Sequence, residues 1–545
     1  MAEINRSNDW KNELVLIAKN TFVWLFQLSQ KYNKTISTLD QIPIEELQQL
    51  KELGITGIWL IGIWERSPAS KTIKTLYGFT HAAASAYSIY SYQITDILGG
   101  RSSYLKFREA ARSVGLKTGC DMVPNHTGID SPWVIDHPDW FLEAYGNPSP
   151  DFTFTSPDLS SRVDVEIRIE NGYYNRSGAA EVFSYVNKAS GKERFLYHGN
   201  DGTSMPWNDT AQLNYLIPEV RDMVRRTIIE VAADFDIIRL DAAMTLTRQH
   251  YKRLWFPGDD GQRCIPSRKN FRMENDEFDQ HMPHEFWSQV MQDMRESRPD
   301  TLLIAEAFWL MEGYFIREIG MDRVYNSAFM NMIKNEENRK FKCCLRDMAT
   351  IKHNALDHLV NYQTTPDEES TINQFGASEK YFCAAALLCT LPGLPMFGHG
   401  QLEGYHERYG MDYLVPHMQE LPDNALFEKH CQLVSPLLHN RKLFASAQNF
   451  LLLELKSSDS VEIDDVIVFT NSYQDQRILV VINNSWISHT GILDLSDMQL
   501  EGQKINLVSL RENHLQTGFR YEIGRDRIKF DLSSYAAGVF LVEEI

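Results

Sequence analysis

Up to about residue 445, short apolar runs alternate along this chain with segments whose apolar positions recur every three or four residues. FVWLFQL (22–28) reads as a buried strand. IPIEELQQLKELG (42–54) has helical spacing and ends on glycine. ITGIWLIGIW (55–64) predicts a strand, SSYLKFREAARSVG (102–115) a helix and LKTGCDMV (116–123) a strand. PEVRDMVRRTIIEVAADF (218–235) predicts a helix running into the strand DIIRLD, and EFWSQVMQDMRESRP (285–299) a helix before TLLIAEAFW (301–309). HLVNYQT (358–364) and LPGLPMFGHG (391–400) are later strands. Near-continuous apolar strands separated by helices predict a parallel sheet covered on its faces by helices.

Two segments break this rhythm. Residues 127–216 are rich in Pro, Gly, Asn, Asp and Tyr, carry no long helical pattern and read as an inserted subdomain. From residue 446 the pattern turns to short strands (DVIVFT, RILVVIN, KINLVSL, DRIKFDL, GVFLVEE), which predicts an all-β module, a sandwich over 446–545. The alternating part is then 1–126 and 217–445.

The polar residues of the alternating part collect where its strands end. Asn125 and His126 follow LKTGCDMV, Arg239 and Asp241 close DIIRLD, Glu306 follows LLIA, and Asp367 follows HLVNYQT. Singly, each has an ordinary structural reading: an ion pair, a satisfied histidine, a helix cap, a turn. In a strand, Arg239 and Asp241 point to one face, being two residues apart. Together the four strand ends suit a (β/α)8 barrel, whose active site lies at the C-terminal ends of its strands. Two carboxylates suffice for retaining glycoside hydrolysis, one as nucleophile and one as proton donor. Arg239 would hold Asp241 ionised, and the apolar and aromatic surroundings of Glu306 would raise its pKa, as a general acid requires.

Composition narrows the partners. The formal net charge of −19 argues against nucleic acid and anionic membranes as ligands. No apolar run reaches the length of a membrane span, and MAEINRSNDWKNEL lacks the basic-then-apolar pattern of a secretory signal. The seven cysteines form no C-x-x-C pair, so reduced thiols in a cytoplasm are expected. No cofactor fingerprint and no metal-ligand spacing stands out.

These residues resemble the α-amylase family of glycoside hydrolases (family thirteen). DMVPNH is similar to the family's first motif, IRLDAA to its second and AEAFW to its third. SAYSIYSYQITDILGG resembles the segment after strand two, MPWNDTAQLNYLIPEVR the end of the inserted domain B, and LPGLPMFGHGQLEG strand eight and its loop. The resemblance implies a (β/α)8 TIM barrel with domain B inserted after strand 3 and a C-terminal all-β domain. It implies Asp241 as nucleophile, Glu306 as acid/base and Asp367 as the third carboxylate, with Tyr87 stacking on the sugar and His126 and Arg239 lining the same subsite. The implied substrate is an α-glucan or maltooligosaccharide.

The chain also departs from the family pattern. The fourth motif, normally Asn-His-Asp, is Thr365-Pro366-Asp367, a variant shared by some maltosyl-transferring relatives; proline cannot replace the histidine's donor. Met244-Thr245 replaces a Lys-His pair whose histidine helps bind calcium in many relatives, so calcium is not expected here. Ser91 stands where Asp is common. Three functions stay open: a hydrolase of α-1,4 bonds, a glucanotransferase or phosphorylase on the same fold, and a silent carbohydrate-binding barrel. Acceptor choice would lie in the loop 251–284, where Trp255 either stacks on an acceptor sugar or packs on the barrel.

Overall fold

The computed structural model describes residues 9–79, 82–178, 180–203, 205–258, 264–308, 311–350, 355–498, 500, 504–511 and 518–545. Eight parallel strands close into a barrel: β1 (Leu16–Asn20), β2 (Gly57–Ile61), β3 (Lys117–Met122), β4 (Ile237–Leu240), β5 (Leu302–Ala305), β6 (Arg323–Tyr325), β7 (Leu359–Tyr362) and β8 (Leu394–Phe397). Their order around the barrel is their order in the chain, with β8 pairing back onto β1. Every residue of β1, β2, β4, β5, β7 and β8 is buried, because lumen and helix layer cover both faces.

Two of these strands were not visible in the hydrophobic pattern. FVWLFQL is not a strand: it lies in the helix Thr21–Lys31, and the strand is the preceding Leu16–Asn20. A short apolar run does not separate a buried strand from a buried helix. The switch falls at Asn20, whose side chain accepts the Val23 N–H and so caps the helix. β6 has three residues and begins on Arg323, too short and too polar to register as an apolar run.

The chain leaves the barrel after β3 and returns through the helix Pro218–Val231. The excursion is rooted by a two-stranded ribbon, His126–Gly128 against Thr210–Gln212, with His126 opposite Gln212. Beyond it lies a four-stranded antiparallel sheet in the order Glu143–Ala144, Lys192–Tyr197, Val182–Asn187, Val165–Arg168. The helices described here, Pro132–Asp136, Pro138–Trp140 and Asn171–Asn175, are one turn or little more.

After the barrel the chain is all β. Five strands form one sheet in the order Leu451–Leu453, Val466–Tyr473, Gln476–Asn483, Ala537–Glu544, Ile505–Ser509; three form another in the order His489–Asp494, Arg527–Leu532, Phe519–Ile523. The larger sheet packs on the barrel helix Glu379–Thr390, where the Cys383 thiol meets the Asn483 carbonyl at 3.4 Å. That helix is buried from Tyr381 through Thr390, so it is apolar all round rather than along one stripe. Among the described residues, no helix is long and apolar enough to cross a membrane.

Candidate active site

Barrel register decides which strand-end residues meet. Leu240 of β4 pairs with Ala305 of β5, so the next residue on each strand, Asp241 and Glu306, occupies the same level on adjacent strands. Arg239 pairs with Asp121 of β3. Arg239 lies inside the barrel and is 1% exposed. Its guanidinium meets Glu306 at 2.8 Å, Asp121 at 3.3 Å and Asp241 in a short ion pair. One cation thus serves three buried carboxyl groups. Rings surround it: its centre lies 5.1 Å from that of Tyr87, 5.5 Å from Trp59 and 5.8 Å from Tyr325. Trp59 Nε1 donates to the Asp121 carboxylate at 3.1 Å, and Trp64 Nε1 to the Asp121 carbonyl at 2.7 Å.

The backbone turns sharply after Asp241. Ala242 sits at φ +45°, a left-handed conformation that costs a non-glycine residue about 1–3 kcal/mol. This conformation aims the Ala242 N–H at Glu306 Oε2, 2.7 Å away. Glu306 is 5% exposed and Asp241 7%. Burial pushes the Glu306 carboxyl up to about 8; Arg239 opposes the shift, and the charges of Asp241 and Asp367 add to it. Asp241 is also raised by burial, against the pull of Arg239. Arg239 favours the ionised form of Asp241, as expected, but the guanidinium is divided among three acids, and desolvation outweighs its share in the net shift. Asp121 rises to about 7, again by burial first.

His126 and Tyr87 adjoin this cluster. His126 Nε2 lies 3.2 Å from the Tyr87 carbonyl, and burial lowers the imidazole to about 4, so it is neutral near pH 7. The Tyr87 hydroxyl is buried with no hydrogen-bond partner among the described residues, and so are those of Tyr325 and Tyr362. Leaving such a group unpaired costs about 1–3 kcal/mol, which a polar ligand would offset. Burial raises the Tyr87 phenol well above its ordinary value, and the nearby charges of Asp121, Asp241 and Asp367 add to this.

Asp367 is different. It lies five residues beyond β7, is exposed, and its N–H meets Thr365 Oγ1 at 3.3 Å. Among the described residues its carboxylate bonds to none of the groups around Arg239, yet its charge reaches both Glu306 and Tyr87. Glu368 instead lines a small neighbouring recess with Asn20, His399 and Arg408. Glu369 Oε2 accepts from Asn373 at 3.3 Å beside the helix Thr371–Phe375.

Several groups at the site were not singled out from sequence. Asp121 stood in a quoted motif without a role, and only the barrel register brings it to Arg239. Trp207, partly exposed, holds its ring 5.0 Å from that of His126; its motif was read only as a domain end. Trp255 does not present its ring to an acceptor. It is buried and meets Tyr197 of the excursion's four-stranded sheet edge-on at 5.5 Å. Trp309 of AEAFW lies outside the described residues.

The residues near Asn125 do not fit a calcium ion. Gln212 Nε2 donates to Asn125 Oδ1 at 2.9 Å, to the Asn125 carbonyl at 3.0 Å and to the Leu213 carbonyl at 3.3 Å, while Asn125 Nδ2 donates back to Gln212 Oε1 at 3.1 Å. Both side chains are fully buried. An amide nitrogen gathers the oxygens that a hard cation would require. Met244 and Thr245 turn inward: Thr245 Oγ1 donates to the Ala242 carbonyl at 2.7 Å.

A closed (β/α)8 barrel with acids at its C-terminal strand ends, an excursion after β3 and a terminal β module defines the class of molecule. The family model for the alpha amylase catalytic domain matches residues 29–413. The chain belongs to the alpha-amylase family and is a glycoside hydrolase of that family or a closely related glycosyl-transferring enzyme. It is 20% identical over 492 residues to Alpha-amylase 3 of Dictyoglomus thermophilum, covering 82% of this chain and 81% of that protein. It is 26% identical over 166 residues to malto-oligosyltrehalose trehalohydrolase of Saccharolobus solfataricus, a match spanning 30% of this chain and only 27% of that protein. The fold superposes with TM-score 0.63 on the alpha-amylase of Geobacillus thermoleovorans complexed with acarbose, at 16% identity over 98% of this chain and 99% of the other.

Proposed function

We propose that the protein is a retaining enzyme acting on α-1,4-glucans such as maltodextrin, glycogen or starch. Asp241 is the nucleophile, Glu306 the acid/base and Asp367 the third carboxylate, with Tyr87, His126 and Arg239 lining the sugar subsite. The observation that carries this reading is the sharing of Arg239 by Asp241 and Glu306 at one level of adjacent strands. Neighbouring strands are about 4.8 Å apart, which suits the roughly 5–5.5 Å separation of a retaining pair. Glu306, holding its proton near neutral pH, gives it to the glycosidic oxygen as that bond breaks. Asp241 attacks the anomeric carbon and forms a glycosyl-enzyme. Glu306, now ionised, removes a proton from the incoming water or sugar hydroxyl, which displaces Asp241. Arg239 and the Ala242 N–H fix the two carboxyl groups before substrate arrives. The division into barrel (1–126 and 217–445), domain B (127–216) and C-terminal module (446–545) belongs to the same reading.

Transfer to a sugar acceptor is the second reading. It is favoured by Thr365-Pro366, which places no side-chain N–H donor before Asp367. The test is NMR of the first product from maltooligosaccharides, with and without added acceptor. The α-anomer is expected; initial release of the β-anomer would overturn the assignment of the pair. Longer products that appear only with acceptor would select transfer over hydrolysis.

A further inference from the structure

A cleft of about 480 Å³ opens on the flank of the barrel, away from the acid cluster. It lies among the strand Ile89–Ile94, the start of the excursion at Thr127 and Trp133, and the helix Pro218–Val231. Its size is within the range of small-molecule sites. Thr127 in its wall follows His126 directly in a strand, so the two side chains point to opposite faces of the ribbon. The cleft therefore backs onto the catalytic subsite and is separate from it. Tyr92 joins the two: its hydroxyl donates to the Val123 carbonyl at 2.9 Å and accepts the Val123 N–H at 3.0 Å.

The lining has the chemistry of a carbohydrate site. Trp133 is partly exposed, and its ring is braced by Tyr92 at 6.2 Å and Trp140 at 6.5 Å. A braced aromatic face suits the apolar face of a pyranose ring. Around it stand hydroxyl, carboxamide, guanidinium and carboxylate groups of Ser91, Gln93, Arg226 and Glu230. Arg226 and Glu230 are four apart on one helix face, where opposite charges ordinarily pair. Among the described residues, neither makes an ion pair; Arg226 Nε meets only the Asp222 carbonyl, at 3.3 Å. One free cation and one free anion in the same cleft favour a neutral ligand rich in hydroxyls. Ser91, small where Asp is common in the family, leaves the wall open.

We propose that this cleft is a second, non-catalytic binding site for α-glucan oligosaccharides, stacking a glucose unit on Trp133 and hydrogen-bonding it to Arg226 and Glu230. The identity of the ligand rests on the function proposed above. The test is calorimetric titration of the Glu306→Gln protein with maltoheptaose. Two classes of site are expected. Adding Arg226→Ala and Glu230→Ala, both at exposed positions, should weaken one class at least tenfold and leave the other unchanged. Ser91→Trp, which fills the cleft, should remove the same class. In an otherwise natural chain, the cleft variants should keep kcat on maltotriose within twofold. A single class of site that survives both sets of changes would overturn the proposal and leave the catalytic reading standing. A second class that persists in both would overturn it too, by locating that site elsewhere. No binding of maltoheptaose at all would overturn the glucan reading itself.

Discussion

The ends of β4 and β5 and the end of β7 face the same side of the barrel but are built differently. At β4 and β5, two carboxyl groups are buried, held by one guanidinium and a backbone N–H, and fixed by a strained residue, Ala242. At β7, Asp367 is exposed and, among the described residues, is held through its own backbone N–H by Thr365. The first region is preorganised: its charges are placed before substrate arrives, in surroundings where each interaction is strong. The second acts by a charge that reaches Glu306 and Tyr87 from solvent. The buried pair should therefore carry most of the chemistry, and Asp367 a smaller share that grows when a sugar excludes water from it.

The largest expected effect falls on the buried pair. Asp241→Asn and Glu306→Gln should each lower kcat by about 10⁴ or more, combining acid–base and covalent contributions, with unchanged circular dichroism. Activity within about tenfold of the natural protein in either variant would break the comparison at its stronger end.

Asp367 comes next. Asp367→Ala should lower kcat/KM by at least about 10², or roughly 2.7 kcal/mol of transition-state binding. Glu368→Ala and Glu369→Ala should stay within about tenfold. A dead Glu368→Ala beside a live Asp367→Ala would shift the β7 assignment by one residue and put the neighbouring recess in its place.

The charge coupling between the two regions is open to a pH measurement. Glu306 must be protonated to act as an acid, so kcat/KM should fall as pH rises through about 8. Asp367→Asn removes a negative charge that favours the protonated form. Glu306 then ionises more easily, and the alkaline limb should move to lower pH. A limb that stays in place would mean that the two regions do not communicate. Stability carries the same sign. The folded protein holds the Glu306 proton above its ordinary value of 4.5, so this group's contribution declines as pH rises from there through about 8. The Glu306→Gln protein should show a flatter melting temperature over that window.

The smallest effect concerns the root of the excursion. Calcium should leave the melting temperature of the natural protein unchanged, because the Gln212 amide already satisfies the Asn125 oxygens. Gln212→Glu replaces that donor with a carboxylate among buried oxygens. It should lower the melting temperature in chelator and recover a few degrees of it with calcium. Calcium dependence of the natural protein would contradict this reading of Gln212.

Much of the fold was legible in the chain because it rests on local rules. Helical spacing located the helices Gly100–Ser113 and Phe286–Ser297 within two residues and Pro218–Val231 within four, and apolar runs located β2, β3, β4, β5, β7 and β8. β1 and β6 escaped for opposite reasons. An apolar helix beside β1 drew the assignment to itself, and β6 is three residues long. The candidate acids were legible as polar residues interrupting apolar strand ends, and Glu306 in its apolar surroundings already pointed to a raised pKa.

What the sequence determined by itself is the kind of residue available: acids and an arginine at strand ends, a proline before Asp367, no Lys-His pair after Asp241. What only the tertiary structure decided is how those groups share one another. Asp121 meets Arg239 because β3 and β4 are in register, and Gln212 meets Asn125 because the excursion returns antiparallel to its own start. Trp255 turned inward against Tyr197, and Asp367 outward to solvent. Desolvation and Coulomb interaction depend on distances across strands 60 to 120 residues apart in the chain, and strand register and burial, which fix those distances, are properties of the whole barrel.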